Sequence, residues 1–405
     1  VVSAIRSLWA GDHREGLSDG WRRATEDGPV PLGHKPPPKA HLDPHGRAEC
    51  DPMIYRECGV FKATYKEDMA IFPIPLDRWG VGAIVAAAVV LVPLVANDYW
   101  LGSILIPFLI YSLATLGLNL LTGYAGQLSL GHAAFMAVGA YTAFNLSSRL
   151  ALPVLLCFLG AGTVSAAVGL VFGIPSVRIK GFYLAVATLA AQFTIEWVIA
   201  HVPWISGGSV LGTIDTPPMK ILGMAINTPL KKYLLTLFVV LVLTLFAKNL
   251  VRSKVGRAWM SIRDMDVASE IIGVSQFRYK LLAFAVSSFY AGVAGALISF
   301  CYLGAVQVTE FELFLSFQIL GMVIIGGMGS ILGSFLGAGF IVLLPIFINQ
   351  AVRLTTGVLP TDLLSNIELM IFGGLIIFFL VVEPFGLARL WHTIKDKLRL
   401  WPFPY

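Results

Sequence analysis

From Gly80 onward, long apolar runs alternate with short polar breaks. About twenty apolar residues in a helix cross the hydrocarbon of a bilayer. Runs of that order predict spans at Gly80–Ala96, Leu101–Leu121, Ala133–Leu146, Leu152–Pro175, Phe182–Val202, Tyr233–Ala247, Leu281–Leu303, Phe311–Ile325, Ile331–Ile348 and Ile367–Val382. The expected fold class is an all-α polytopic membrane protein with about ten transmembrane helices. The third span is the shortest, because it follows a glycine-rich turn at Gly123–Gly131. A faint echo links Gly126–Gly131 and Gly139–Ala140 with the stretch from Gly329 to Ala338, which points to two weakly related halves.

Composition removes the soluble alternatives. Hydrophobic residues make up 57% and charged residues 13% of the chain, with a mean hydropathy of +0.78, whereas soluble domains carry about 25% charged residues. The net charge of +5 does not point to nucleic acid, since the basic residues lie in islands between spans and the aromatic residues lie inside them. Those islands give an orientation. Lysine and arginine crowd the N-terminal extension, Arg178/Lys180, the seven positions between Lys248 and Lys280, and Arg389, Lys395, Lys397 and Arg399. With ten spans all of these fall on one side, so both termini are expected in the cytoplasm.

The organisation that follows is a polar cytoplasmic extension over residues 1–78, a permeation domain over 79–387 with a cytoplasmic loop at 250–280, and a tail over 388–405. The extension is rich in proline and lacks the apolar core of a secretory signal. Its last part, Phe61 to Trp79, mixes aromatic and basic residues as an interfacial segment does. His41, His45, Cys50 and Cys58 are not spaced like a structural zinc site, so no metal is expected. Cys157 and Cys301 lie in apolar runs and imply no disulfide framework.

Ionisable and polar groups inside spans narrow the search for a site. Glu196 falls within the fifth span, and reads either as a group lining a solute route or as a hydrogen-bonded carboxylate near the outer surface. Gln127, Ser129 and His132 gather at a glycine-rich helix start, where a carboxylate could be held by the helix N-terminus or where the side chains could simply cap the helix. Gly326, Gly327, Gly329, Gly333 and Gly337 suit close helix packing or a hinge. No GxxxxGK[ST], HExxH or GxSxG occurs, so neither a nucleotide-binding loop nor a hydrolytic centre is expected, and the chain does not read as an enzyme.

The basic island from Gly256 to Leu282 is different in kind. Asp266 can cap a short helix, and Gly273 suits the left-handed position that ends one. Between them Val267 and Ile271 share a face at i, i+4, with Ser269 and Glu270 in or near the first turn. Such a capped helix fits a groove on a soluble partner, or lies at the lipid headgroups.

Four long stretches carry a family resemblance: GLNLLTGYAGQLSLGHAAFMAVGAYTAF (Gly117–Phe144), KGFYLAVATLA (Lys180–Ala190), GRAWMSIRDMDVASEIIGVSQFRYKLLAFAVSSFYAGVAGAL (Gly256–Leu297) and LGMVIIGGMGSILGSFLGAGFIVLLP (Leu320–Pro345). Over most of Trp79 to Leu387 the chain resembles the inner-membrane permease subunits, LivM type, of bacterial ABC importers for branched-chain amino acids. The resemblance implies a second permease subunit of LivH type, two ATPase subunits that hold ATP and magnesium, and a periplasmic solute-binding protein, with no cofactor on this chain. It also implies that Ala268, Glu270 and Gly273, with Asp266, Val267 and Ile271 around them, couple the permease to the ATPase. Relatives that import urea, amides or aromatic acids share GQLSLGH, which leaves the solute open, and an ion-coupled secondary transporter is the alternative from another class. Two departures stand out: the long extension before Gly59, and the outer loop Ser206–Pro218, where only Gly207 and Gly208 follow the family pattern.

Overall fold

The computed structural model describes residues 75–178, 181–208, 213–217, 219–221, 224–226, 228–355, 361–383 and 386–400. Most of the expected extension, including its four candidate metal ligands, and the end of the tail lie outside the described residues.

The described chain is almost entirely helical. Helix α1 (Pro75–Ala86) continues through a π-helical turn at Ala87–Leu91 into Val92–Val95. Helix α2 (Ile106–Asn119) is flanked by π-helical segments at Trp100–Leu105 and Leu120–Tyr124. Then come α3 (His132–Leu150), α4 (Val154–Arg178), α5 (Phe182–His201) and α6 (Pro229–Arg252). The basic island folds as α7 (Lys254–Asp264) and α8 (Asp266–Ile271). Helix α9 (Gln276–Leu297) with its π-helical end at Ile298–Leu303, α10 (Leu313–Gly326), α11 (Ile331–Thr355), α12 (Thr361–Val382) and α13 (Gly386–Leu400) complete the chain. Two short antiparallel ribbons were not expected: β1 (Ile214–Asp215) pairs with β4 (Ala305–Val306), and β2 (Lys220–Ile221) with β3 (Met224–Ala225).

Among the described residues seven helices are long and apolar enough to cross a membrane, or eight if the bent pair Asn366–Val382 and Gly386–Lys395 is one span. Of the ten expected spans, the last, Ile367–Val382, reaches the length only with the bent Gly386–Lys395 segment, and two others fall short by different routes. Trp79–Val95 is apolar but brief. Helix α3 is 19 residues long, yet it ends in Asn145, Ser147, Ser148 and Arg149 and carries many small residues. Its first two-thirds are buried by protein, so these positions need not be as apolar as a lipid-facing surface.

Small residues set the core. Helix α9 packs most extensively against α4 and α3. A Cβ on Gly139 of α3 would overlap the backbone of Gly292 in α9, and one on Gly292 would lie 2.5 Å from Ser165 Cβ in α4. Backbones that approach this closely gain dispersion contact where lipid offers no hydrophobic drive between helices. Helix α2 lies between this group and the α10–α11 pair, and nearly all of its residues are buried. The fold thus contains two helix–glycine break–helix units, α2–α3 and α10–α11, and their breaks touch: Gly123 lies against Gly329.

Candidate coupling surface and solute route

The island is built from a capped, amphipathic pair of helices. Ser253 caps α7 by accepting from the Val255 N–H at 3.1 Å. The buried Trp259 turns inward and donates from Nε1 to the Tyr279 carbonyl at 2.8 Å, fastening α7 to the start of α9. The chain then extends at Met265 and re-enters helix at Asp266. Here the cap differs from expectation. Met265 occupies the cap position without a side-chain bond, and Asp266 stands in the first turn, where its charge faces the positive helix end. Ser269 is turned inward: its hydroxyl donates to the Met265 carbonyl at 2.8 Å and meets Ser261 Oγ of α7 at 2.6 Å.

Gly273 ends α8 at φ +90°, where a side chain would be strained, and its N–H donates to the Glu270 carbonyl at 3.0 Å. Gln276 Nε2 reaches back to the Asp266 carbonyl at 2.7 Å and approaches Glu270 Oε2 at 3.3 Å. With its backbone held, α8 turns Val267 (62% exposed) and Ile271 (81%) outward beside exposed Met265 and Ile272. Ala268 and Glu270 are exposed as well. An apolar ridge of this size on a polar segment marks an interaction surface.

Gln127, Ser129 and His132 do come together at the start of α3. The N-terminus there is not free. Leu130 N–H donates to Thr188 Oγ1, Ala133 N–H to Ser316 Oγ and Ala134 N–H to Gln192 Oε1, each at 2.9 Å. Helices α5 and α10 therefore cap α3 from outside its own sequence. His132 Nε2 faces the Ala114 carbonyl at 3.0 Å, so that nitrogen carries the proton and ties α3 to α2. Gln127 Oε1 and Ser129 Oγ are buried with no partner among the described residues.

Glu196 is separate from this cluster, one turn further along α5 than Gln192. Gln192 Nε2 donates both to Glu196 Oε1 and to the Phe311 carbonyl. The Glu196 carboxylate opens on a cavity of about 390 Å³ shared with Trp197, Thr309 and Glu312. Of the five glycines, Gly326, Gly333 and Gly337 pack α10 against α11. A Cβ on Gly326 would overlap the Gly333 carbonyl, one on Gly333 would lie 2.6 Å from the Gly326 carbonyl, and one on Gly337 would overlap that of Met322. Gly327 and Gly329 form the break between the two helices at φ +111° and +79°.

Several residues that organise these sites gave no local signal in the sequence. Asn119, Thr188, Gln192 and Ser316 are buried polar residues inside apolar spans. Their polarity alone marked them, and only the fold shows which backbone groups they satisfy. Arg263 read as one basic residue of the island, yet its Nη1 donates to the Gly123 carbonyl at 2.8 Å.

This is the architecture of a polytopic membrane protein: buried, glycine-packed helices with an exposed apolar ridge on a polar segment. Residues 100–380 match the family described as "Branched-chain amino acid transport system / permease component". The chain is 30% identical over 303 residues to the high-affinity branched-chain amino acid transport system permease protein LivM of Salmonella typhimurium, covering 69% of this chain and 68% of that one, and equally so to LivM of Escherichia coli K12. It is 22% identical over 320 residues to a probable branched-chain amino acid transport permease protein LivM of Methanocaldococcus jannaschii, covering 70% of this chain and 92% of the relative. No solved structure matches it. The chain belongs to the branched-chain amino acid transport permease family, LivM type. It is a multi-pass protein of the inner (plasma) membrane and a permease component of a transport system.

Proposed function

We propose that this chain is one permease subunit of an ATP-driven importer for branched-chain or related hydrophobic amino acids. The observation that carries the reading is the α8 ridge, Val267 and Ile271, held outward on a helix braced by the bonds of Ser269 and Gln276. Its occupant in this proposal is an ATPase subunit. Two such subunits bind ATP and magnesium, a second permease subunit of LivH type completes the route, and a periplasmic binding protein delivers the solute. This chain binds no cofactor of its own and catalyses no reaction. Both termini lie in the cytoplasm, on the side of the basic islands.

Transport proceeds by alternating access. ATP binding in the partner subunits presses on Asp266–Ile271, and the packed helices shift against one another as bistable units. A zwitterion with an apolar side chain suits a route with few full charges, and Glu196 at the outer cavity faces its ammonium group. At the start of α3, Gln127 and Ser129 offer their unpartnered buried oxygens as further polar groups for the route, while His132 ties α3 to α2.

The reading is tested by reconstituting the chain with a second permease subunit, ATPase subunits and binding protein. Leucine-loaded binding protein should stimulate ATP hydrolysis above its basal rate. Hydrolysis indifferent to the loaded binding protein would refute it.

A further inference from the structure

We propose that Arg263 is a positioning residue that carries movement of the island helices to the point where the two glycine breaks meet. This rests on the reading that an ATPase docks on α8, and adds the route by which its push enters the membrane domain.

The connection can be followed bond by bond. Helix α8 is tied to α7 by the Ser261–Ser269 hydroxyl contact at 2.6 Å, so displacement of one drags the other. The last turn of α7 carries Arg263, whose guanidinium is held in two directions. Nε donates to Asp264 Oδ1 at 2.9 Å, and Nη1 donates to the Gly123 carbonyl at 2.8 Å. A guanidinium is a planar fork, so fixing Nε also aims Nη1.

Gly123 lies in the π-helical turn that ends the α2 run. The Arg263 stem packs on the same loop: a Cβ on Gly126 would lie 2.9 Å from Arg263 Cγ. The second break is within reach as well, since a Cβ on Gly329 would lie 3.3 Å from Arg263 Nη1. One side chain from the cytoplasmic island thus sits where both breaks converge. Asn119, one turn back on α2, accepts from the Gly329 N–H at 2.8 Å and joins the breaks to each other.

A hydrogen bond from a charged donor is stronger than a neutral one, and here it ends on a carbonyl of a π-helical turn, a place where helices commonly deform. On its other side Arg263 borders a cavity of about 250 Å³ shared with Gln127, Asp266 and Lys280, which leaves space beside the junction. A shift of α7 therefore pulls the Gly123 carbonyl, and through Asn119 the Gly329 turn.

The test uses the complete importer in proteoliposomes, with ATP hydrolysis and labelled leucine uptake measured on the same preparation. Arg263→Ala should keep the ATPase bound and hydrolysis within about twofold, while leucine moved per ATP falls about tenfold. Arg263→Lys, which retains one charged donor, should recover about a third of the wild-type ratio. An unchanged ratio in Arg263→Ala, or a lysine variant no better than alanine, overturns the proposal.

Should Arg263→Ala fail to fold, spin labels at Lys254→Cys and Met328→Cys in a chain that keeps Arg263 decide the matter. Their separation should stay constant between nucleotide-free and ATP-trapped states while the distance from Lys254→Cys to a label at the exposed Phe193→Cys of α5 changes, because island and breaks move together; a change beyond about 3 Å in the first distance, or none in the second, overturns the proposal. If the unmodified complex fails to retain an ATPase, the functional reading itself falls. That result is distinct from coupled hydrolysis with an unchanged ratio.

Discussion

Asn119 and Gly329 lie 210 positions apart, and the Gly329 N–H donates to Asn119 Oδ1 at 2.8 Å. The same amide donates from Nδ2 to the Ser330 carbonyl at 2.8 Å and to Ser334 Oγ at 2.9 Å. One buried side chain thus satisfies the backbone of the α10–α11 break and pins it to α2. Where water is excluded, such groups must find partners inside the protein.

Replacing Asn119 with Leu keeps the volume roughly constant and leaves the Gly329 N–H and the Ser330 carbonyl without this partner. The expected destabilisation is about 1–3 kcal/mol, the cost of an unpaired buried polar group. Thermal unfolding of the detergent-solubilised chain checks it. A midpoint equal to wild type would show that the link is not structural.

Close approach between α3 and α9 makes a second prediction. Gly139→Ala drives a methyl group into the Gly292 backbone, and overpacking of this kind typically costs about 1–3 kcal/mol. Gly373 in α12 has nothing within 4 Å of where its Cβ would lie. Gly373→Ala should therefore be tolerated, and fluorescence-detected size exclusion of the two variants should separate them clearly.

The α8 ridge can be altered without touching the fold. Val267→Asp combined with Ile271→Asp changes two exposed side chains, so stability should stay within about 0.5 kcal/mol of wild type. Copurification of the ATPase should fall by about tenfold or more, as when central interface anchors are lost. Full retention of the ATPase would place its dock elsewhere.

Gln192 and Glu196 separate scaffold from route. Gln192→Leu removes the acceptor for the Ala134 N–H and the donor to the Phe311 carbonyl, and should lower stability by about 1–3 kcal/mol. Glu196→Gln keeps the packing and removes the charge at the outer cavity. It should lower leucine uptake without moving the unfolding midpoint. A fall in stability with normal uptake would make Glu196 a structural carboxylate instead.

What could be read from the sequence, and what could not, follows from the range of the interactions. The apolar lengths located the long spans, because burial in lipid is recorded residue by residue. Helix α3 was the least legible: it faces protein, so its small and polar residues do not announce a membrane helix. The α8 ridge and its glycine end were readable because i, i+4 spacing and a left-handed terminus are local. The amphipathic helix α7 was not resolved within the charged island, where its basic residues masked the inward face of Trp259 and Ile262. The capping of α3 by Thr188, Gln192 and Ser316, and the reach of Arg263 to Gly123, join positions 58 to 183 residues apart. No local pattern encodes such pairings.

The central claim, transport powered by a partner ATPase, is tested most directly by leucine uptake into proteoliposomes. Vesicles holding the chain with its second permease subunit and ATPase, supplied with binding protein, should accumulate leucine only when ATP is present on the ATPase side. Uptake by this chain alone, driven by a proton or sodium gradient without ATP, would contradict it.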